Sequence, residues 1–456
     1  MCQVGEAPGT WLMLSASAAS DRSPETEMLL RNATVATLDP PRVEKASLRT
    51  GGERILERGP ALAPAEGEEV LDLEGALVLP GFVNAHTHLY GALARGMPGP
   101  AEPPRTFVEI LERVWWRLDR ALDEESVYLS GLVGAIEAVR SGTTVLFDHH
   151  ASPSFIEGSL ASLRRAVEEV GLRSVLCYET TDRNGPEGRD AGVAENRAFL
   201  AAGRSALTLG MVGAHASFTL SDESLDRLSE AVRDGNSSLH VHVAEDRSDV
   251  EDCRRRGGAG VIERLRRHGL LVRRTLLVHG VHLSEPELLD AQASGAWVVH
   301  CPRSNMNNAV GYAPTVAFKR AALGTDGLDS DMLAEARVAF LKLRDAGRDD
   351  ALAAALAMLV GGQRLADAFF GLPLGRLDAG APADLVVLDY RPPTPLTEEN
   401  LAGHLLFGLD RSHVRSTMVA GRLVLRDRKL TTVDEAAVLA SARAAAERLW
   451  KRMREL

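Results

Sequence analysis

Between residues 76 and 323 the sequence alternates short apolar runs with stretches long enough for a helix, and few folds accommodate that rhythm. The runs fall at 76–83, 143–147, 174–178, 207–212, 239–243, 275–278, 296–299 and 321–323. Segments such as 159–170 and 223–233 carry helical periodicity between them. Eight apolar strands, each followed by a helix, predict an α/β fold, a (β/α)8 TIM barrel over residues 79–375. An open doubly wound sheet would carry a glycine-rich phosphate loop after its first strand, and the sequence has none there.

The two ends read differently. Short strand-like runs broken by turn residues occupy 28–78, and the pattern returns in 376–430. Both ends together predict one small β-sandwich domain. Residues 431–456 are rich in Ala, Leu and Arg and predict a C-terminal helix packing on the barrel, with Thr432 and Glu435 as its capping box. Residues 1–27 lack the basic start and long apolar centre of a signal peptide and are expected to be a disordered extension. A net charge of -11 argues against a nucleic-acid surface. No unbroken apolar run approaches the roughly 20 residues a membrane span needs. The four cysteines show no CxxC spacing. These features predict a cytoplasmic protein with a small-molecule substrate and neither nucleic acid nor membrane as partner.

The chain has 13 histidines, and ten of them sit at or just after the C-terminal end of a predicted strand. In a barrel those ends form the mouth where chemistry occurs. His86 and His88 are two apart on the first strand, so both can reach one ion. His242 ends the fifth strand and Asp326 follows the eighth, which closes the ring beside the first. Three imidazoles and one carboxylate suit a single divalent ion, zinc first and ferrous iron second, with water completing the shell. Glu245, three residues after His242, lies where the chain turns over the mouth, beside the ion without being a ligand. His240 shares the face of His242 one layer deeper and reads as a hydrogen-bonded core residue.

These residues resemble the amidohydrolase superfamily, in its branch of guanine deaminase, triazine hydrolase and methylthioadenosine/adenosylhomocysteine deaminase-like proteins. The segments PGFVNAHTH, HVAE, LLVHGVHL, HCPRSNMNN and LGTDG occur in the family's order, and GRLDAGAPADLVVLD resembles its return to the small β-domain. WWRLDRALDEES, SGTTVLFDHHASPS and CYETTDRNG are most similar to SsnA-type aminohydrolases. The resemblance spans about residues 28–430.

It implies a metal-dependent aminohydrolase, often a homodimer, that hydrolyses a C–N bond of an amino-substituted purine- or pterin-like ring through a metal-activated water. A chlorohydrolase or cyclic-amide hydrolase with the same metal site is the alternative. It further implies that Glu245 and His279 move protons and hold the attacked carbon's substituents, with Asp326 taking the water proton. Binuclear relatives use a carboxylated lysine on the fourth strand. No lysine occurs between Lys45 and Lys319, so one ion is expected. His279 competes with His282 for the sixth-strand role, because residues three apart cannot share a strand face. Candidate substrate contacts are His215, His149, His150, Glu179, Trp115 and Asn305, with Trp115 and Trp116 placed to cover a planar ring.

Overall fold

The structure, a computed structural model, describes residues 27–456. The extension expected at 1–27 lies outside them except for its last residue. Eight parallel strands run round a nearly closed barrel. In order they are Phe82–Thr87, Thr143–His150, Arg173–Thr180, Val212–Ala216, Leu239–Val243, Leu276–His279, Trp297–His300 and Ala321–Leu323. We refer to them as the first to eighth barrel strands. The ring closes where Asp326, just beyond the eighth, bridges Thr87 of the first. A second, mixed sheet of nine strands combines chain from both ends, from Met28–Leu38 to Lys429–Leu430.

Two expected strands are placed differently. The run at 76–83 is not one strand. Leu77–Pro80 joins the second sheet, antiparallel to Leu385–Leu388, and Phe82 opens the barrel. The break is steric. A Cβ on Gly81 would lie 2.2 Å from Thr144 Oγ1, so only glycine lets the chain pass from one sheet to the other there. The run at 207–212 is likewise divided. Thr208–Gly210 pairs with the start of the third strand, and the fourth barrel strand is Val212–Ala216. Apolar periodicity alone cannot tell two short strands from one.

An interior cluster including Val83, Phe147, Val175, Val278 and Val299 fills the barrel, and Leu365, Ala366 and Phe370 join it. The last three belong to helix Ala351–Phe370, which is long and apolar enough to cross a bilayer but packs against the first and eighth strands. The C-terminal helix Glu435–Glu455 lies on helices Glu124–Arg140 and Trp116–Ala121. Its N-cap is Asp434, accepting from Ala437 N, rather than Thr432. The Thr432 hydroxyl instead donates to Val170 O at 3.0 Å.

One buried ion pair ties the two sheets together. Arg173 of the third strand donates to both carboxylate oxygens of Asp384 at 2.8 and 3.1 Å, and both side chains are almost wholly inaccessible. Asp384→Ala strands a buried guanidinium, which costs about 3–5 kcal/mol. Urea unfolding of the variant is expected to show a lower midpoint of that size; an unchanged midpoint would mean that water or another group takes over.

Candidate metal centre

Each putting-together of the centre begins with how a strand end aims its side chain. Val83 and Ala85 pack inside the barrel, so strict alternation would turn His86 outward. The pairing with the second strand shifts register between Asn84 and Thr87, and His86 and His88 both reach the mouth. Asn84 locks this end to the eighth strand: its amide donates to Thr325 Oγ1 at 2.7 Å and its carbonyl accepts from Thr325 N at 3.1 Å. Asp326 follows in left-handed backbone, φ 57°. His279 also has positive φ, 72°, which turns a side chain that would continue the outer face of Leu277 into the mouth.

The ligand atoms of His86, His88, His242 and Asp326 lie within 4.8 Å of one another. His242 Nε2 is 3.3 Å from both His86 Nε2 and His88 Nε2. Asp326 Oδ1 is 3.0 Å from His88 Nε2 and 3.5 Å from His86 Nε2. Every Nδ1 is engaged on the far side. That of His88 donates to His149 O at 2.6 Å, and that of His242 to His215 O at 3.0 Å. His86 Nδ1 meets His240 Nε2 at 2.8 Å. Such outer partners fix the tautomer and leave Nε2 as the lone pair for an ion. Three nitrogen lone pairs and a carboxylate oxygen converging in a buried space fit one divalent cation.

The charges fit it too. Burial holds the His86 imidazole down at about 3 and His242 well below its usual range. Burial also opposes charge on His88, but the Asp326 hydrogen bond and charge outweigh it and raise this imidazole to about 9. Asp326 stays well below the carboxylate range despite burial, because His86 and His88 hydrogen bond to it. The point between these groups therefore favours positive charge. Gly324 stands at the closest approach of the eighth strand to His86, where a Cβ would lie 2.8 Å from His86 Cβ. Gly324→Ala is expected to displace His86, destabilising the fold by about 1–3 kcal/mol and weakening metal uptake; a zinc titration and a melting curve on one sample check both.

Glu245, His279 and Asp326 form a second cluster on the same wall. His279 Nε2 is 3.4 Å from Glu245 Oε2 and 3.9 Å from Asp326 Oδ2. Burial raises the Glu245 carboxyl to about 7, against the pull of His279. Asn308 donates to Glu245 Oε1 at 3.1 Å. The Ser304 hydroxyl donates to Asp326 Oδ2.

Glu245, Asn308 and Asp326 line a cavity whose other walls are aromatic and acidic, with His279 buried behind them. Trp115, Glu179 and His215 line it, as do Trp116, Asp119, Tyr90 and Phe218. Burial holds the His215 ring down at about 3. His149, His150 and Asn305 do not line it. His149 Nε2 contacts Ala214 O and His240 O, and His150 Nε2 contacts Ser152 Oγ. Asn305 Oδ1 accepts from His279 Nδ1 at 2.8 Å. His282 is turned to Val310 O, away from the cavity. His240 packs between His86 and Cys177.

Asp119, Arg183 and Asn308 are functional side chains that the sequence expectations do not include. Arg183 bridges Asp119 Oδ2 and Glu179 Oε1, each at 3.1 Å, and stacks 4.6 Å from the Trp116 ring centre. The helical spacing of Trp116 and Asp119 was a usable signal for one of them, since residues three apart share a helix face. Nothing local marks the other two.

A family model described as the amidohydrolase family matches residues 77–424. A 5-methylthioadenosine/S-adenosylhomocysteine deaminase of Moorella thermoacetica is 31% identical over 423 residues, covering 90% of this chain and 96% of that protein. A 5'-deoxyadenosine deaminase of Methanosarcina mazei is 30% identical over 442 residues, covering 94% and 99%. Among solved structures, an adenosine deaminase of Xanthomonas campestris with bound zinc superposes with a TM-score of 0.81 at 25% identity, covering 95% of this chain and 100% of that one.

Proposed function

This chain belongs to the amidohydrolase family and is a hydrolase of carbon–nitrogen bonds, and on that premise we propose that it deaminates an amino-substituted heterocycle of the purine or pterin kind. Water replaces the amino group and ammonia leaves. The observation that carries this reading is the pairing of a one-ion ligand set with Glu245, a buried carboxyl near neutrality, on the wall of one cavity. The relatives named as deaminases of adenosine-like compounds support it. We assign zinc to the site, because the N3O donor set suits it and the zinc-bound structure has the same fold.

Bound by His86, His88, His242 and Asp326, a divalent ion supplies Lewis acidity, which lowers the pKa of water toward about 7. The protein does the rest. Asp326 faces His86 and His88 with Oδ1 and His279 with Oδ2, and Oδ2 accepts a proton from the attacking water. Glu245 delivers a proton from Oε2 to the ring nitrogen beside the target carbon, which makes that carbon electrophilic. His279, whose Nδ1 donates to Asn305 Oδ1, acts as an imidazolium, its Nε2–H donating to the entering oxygen as charge develops there. Asp326 then passes the proton it took from water to the departing amine, and the new hydroxyl returns a proton to Glu245 as the carbonyl forms. Trp115 and Trp116 cover the ring from the rim.

Ammonia release from adenosine, 5'-deoxyadenosine, guanine and pterin, measured beside metal content, tests the proposal. Release from at least one by protein carrying one zinc is expected. Release from none of these, or from a wider panel of aminated rings, would overturn it. His242→Ala removes a ligand and is expected to lower zinc retention by more than about 10-fold, since loss of an outer partner alone costs 10–100-fold. Elemental analysis after dialysis reads this directly.

A further inference from the structure

Glu245 is rooted in a strained turn, and a single buried carboxylate ties that turn to the neighbouring cavity wall. The fifth barrel strand ends at Val243, and Ala244 follows in left-handed backbone, φ 46°. There a Cβ crowds the following carbonyl oxygen, so an alanine keeps this conformation only where its surroundings impose it. Two hydrogen bonds impose it here. Ala244 O accepts from His282 N at 2.9 Å, and Ala244 N donates to Asp249 Oδ2 at 2.8 Å.

Asp249 belongs to helix Arg247–Arg255 and is 2% exposed. Its other oxygen, Oδ1, accepts from Phe218 N at 2.9 Å, 31 positions back along the chain. Phe218 lines the cavity, and its ring meets that of His215 edge-on. The flanking carbonyls of Ser217 and Leu220 accept from the buried Arg264 guanidinium at 2.7 and 2.8 Å. The fourth-strand loop is therefore fixed, and Asp249 carries that fixation to the residue before Glu245. Among the described residues, the Glu245 carboxyl accepts one hydrogen bond, from Asn308. Its aim depends on where its backbone is held.

We propose that Asp249 is a positioning residue for Glu245. By accepting from Ala244 N and Phe218 N together, it holds the group that moves the proton at a fixed offset from the wall that receives the ring. Although Asp249 borders the cavity, both its oxygens are engaged by backbone N–H groups, so it acts through Glu245. The proposal rests on the deaminase reading, which gives Glu245 its proton transfer. Misplacing such a group by about 1 Å costs on the order of 10²-fold in rate.

Asp249→Asn is close to isosteric but has one acceptor oxygen, so its amino half faces one of the two N–H groups donor to donor. The zinc-loaded variant is expected to keep one equivalent of zinc and lose about 10–100-fold in kcat, with KM within about 3-fold of wild type. Its crystal structure is expected to show Ala244 out of the left-handed region. Glu245 Oε2 should stand farther from His279 Nε2 than the present 3.4 Å, by about 1 Å or more. Asp384→Ala loosens the fold at the far end of the third strand from the mouth and reads the effect of stability alone. Its kcat well below the melting temperature is expected to equal that of wild type. If Asp249→Asn does not fold, Ala244→Gly is added, because glycine takes the left-handed turn without the Cβ clash. An untied glycine still lets Glu245 wander, so the double variant is expected to fall about 10-fold or more below Ala244→Gly in kcat.

Wild-type kcat in Asp249→Asn, or in the double variant relative to Ala244→Gly, overturns the proposal. So does an unchanged Glu245–His279 separation, loss of zinc, or an equal loss of kcat in Asp384→Ala. Absence of ammonia from the wild type with every aminated ring sinks the deaminase reading instead, and the crystal structures still decide whether Asp249 holds the turn.

Discussion

Glu245→Gln is expected to keep its zinc and lose about 10²–10⁴-fold in kcat, the contribution typical of a positioned general acid–base. The side chain is close to isosteric, and Gln retains a carbonyl oxygen for the Asn308 amide that Glu245 Oε1 now accepts from. It has no acidic proton to transfer. Glu245 is not among the four atoms that converge on the ion, so metal content should stay at one equivalent. KM should change little, because the loss falls on a group that acts in the transition state. Steady-state kinetics with elemental analysis on the same preparation decide it. A variant that turns over at near wild-type rate removes Glu245 from the proton path. A variant that loses its zinc makes Glu245 part of the metal shell instead.

Removal of the ion by a chelator is expected to abolish turnover altogether and to lower thermal stability. Without a cation, the remaining groups are three buried imidazoles, that of His86 held down at about 3 and that of His242 well under its usual range, and one buried carboxylate. None of these supplies a strong nucleophile at neutral pH. Zinc added back at about 1,000 times its Kd should stabilise the fold by about 4 kcal/mol, and activity should return with one equivalent. The sign follows from linkage: the ion binds the folded ligand set and not the unfolded chain. Full activity after exhaustive chelation, with no metal left by elemental analysis, is the outcome that sinks the metal-dependent mechanism.

The barrel was legible because burial on both faces makes each parallel strand an unbroken apolar run. Where two short strands abut, as at Leu77–Pro80 and Phe82–Thr87, the run looked like one. The four converging side chains, His86, His88, His242 and Asp326, were legible because they sit at strand ends with spacings that backbone geometry constrains. Ser304, which donates to Asp326, carries no such spacing. Arg183 was not legible either. It lies four residues past Glu179 but meets Asp119 from a separate helix, across 64 positions of chain.

The sequence by itself determined which residues could ligate and from which strand ends, because side-chain alternation and the order of strands are local properties. Tertiary structure alone decided orientation and protonation. Positive φ at His279 and Asp326 turns them into the mouth, and carbonyls from neighbouring strands choose which imidazole nitrogen carries a proton. The physical reason is that a tautomer depends on what lies within about 3 Å, and here that neighbour is supplied by a strand remote along the chain.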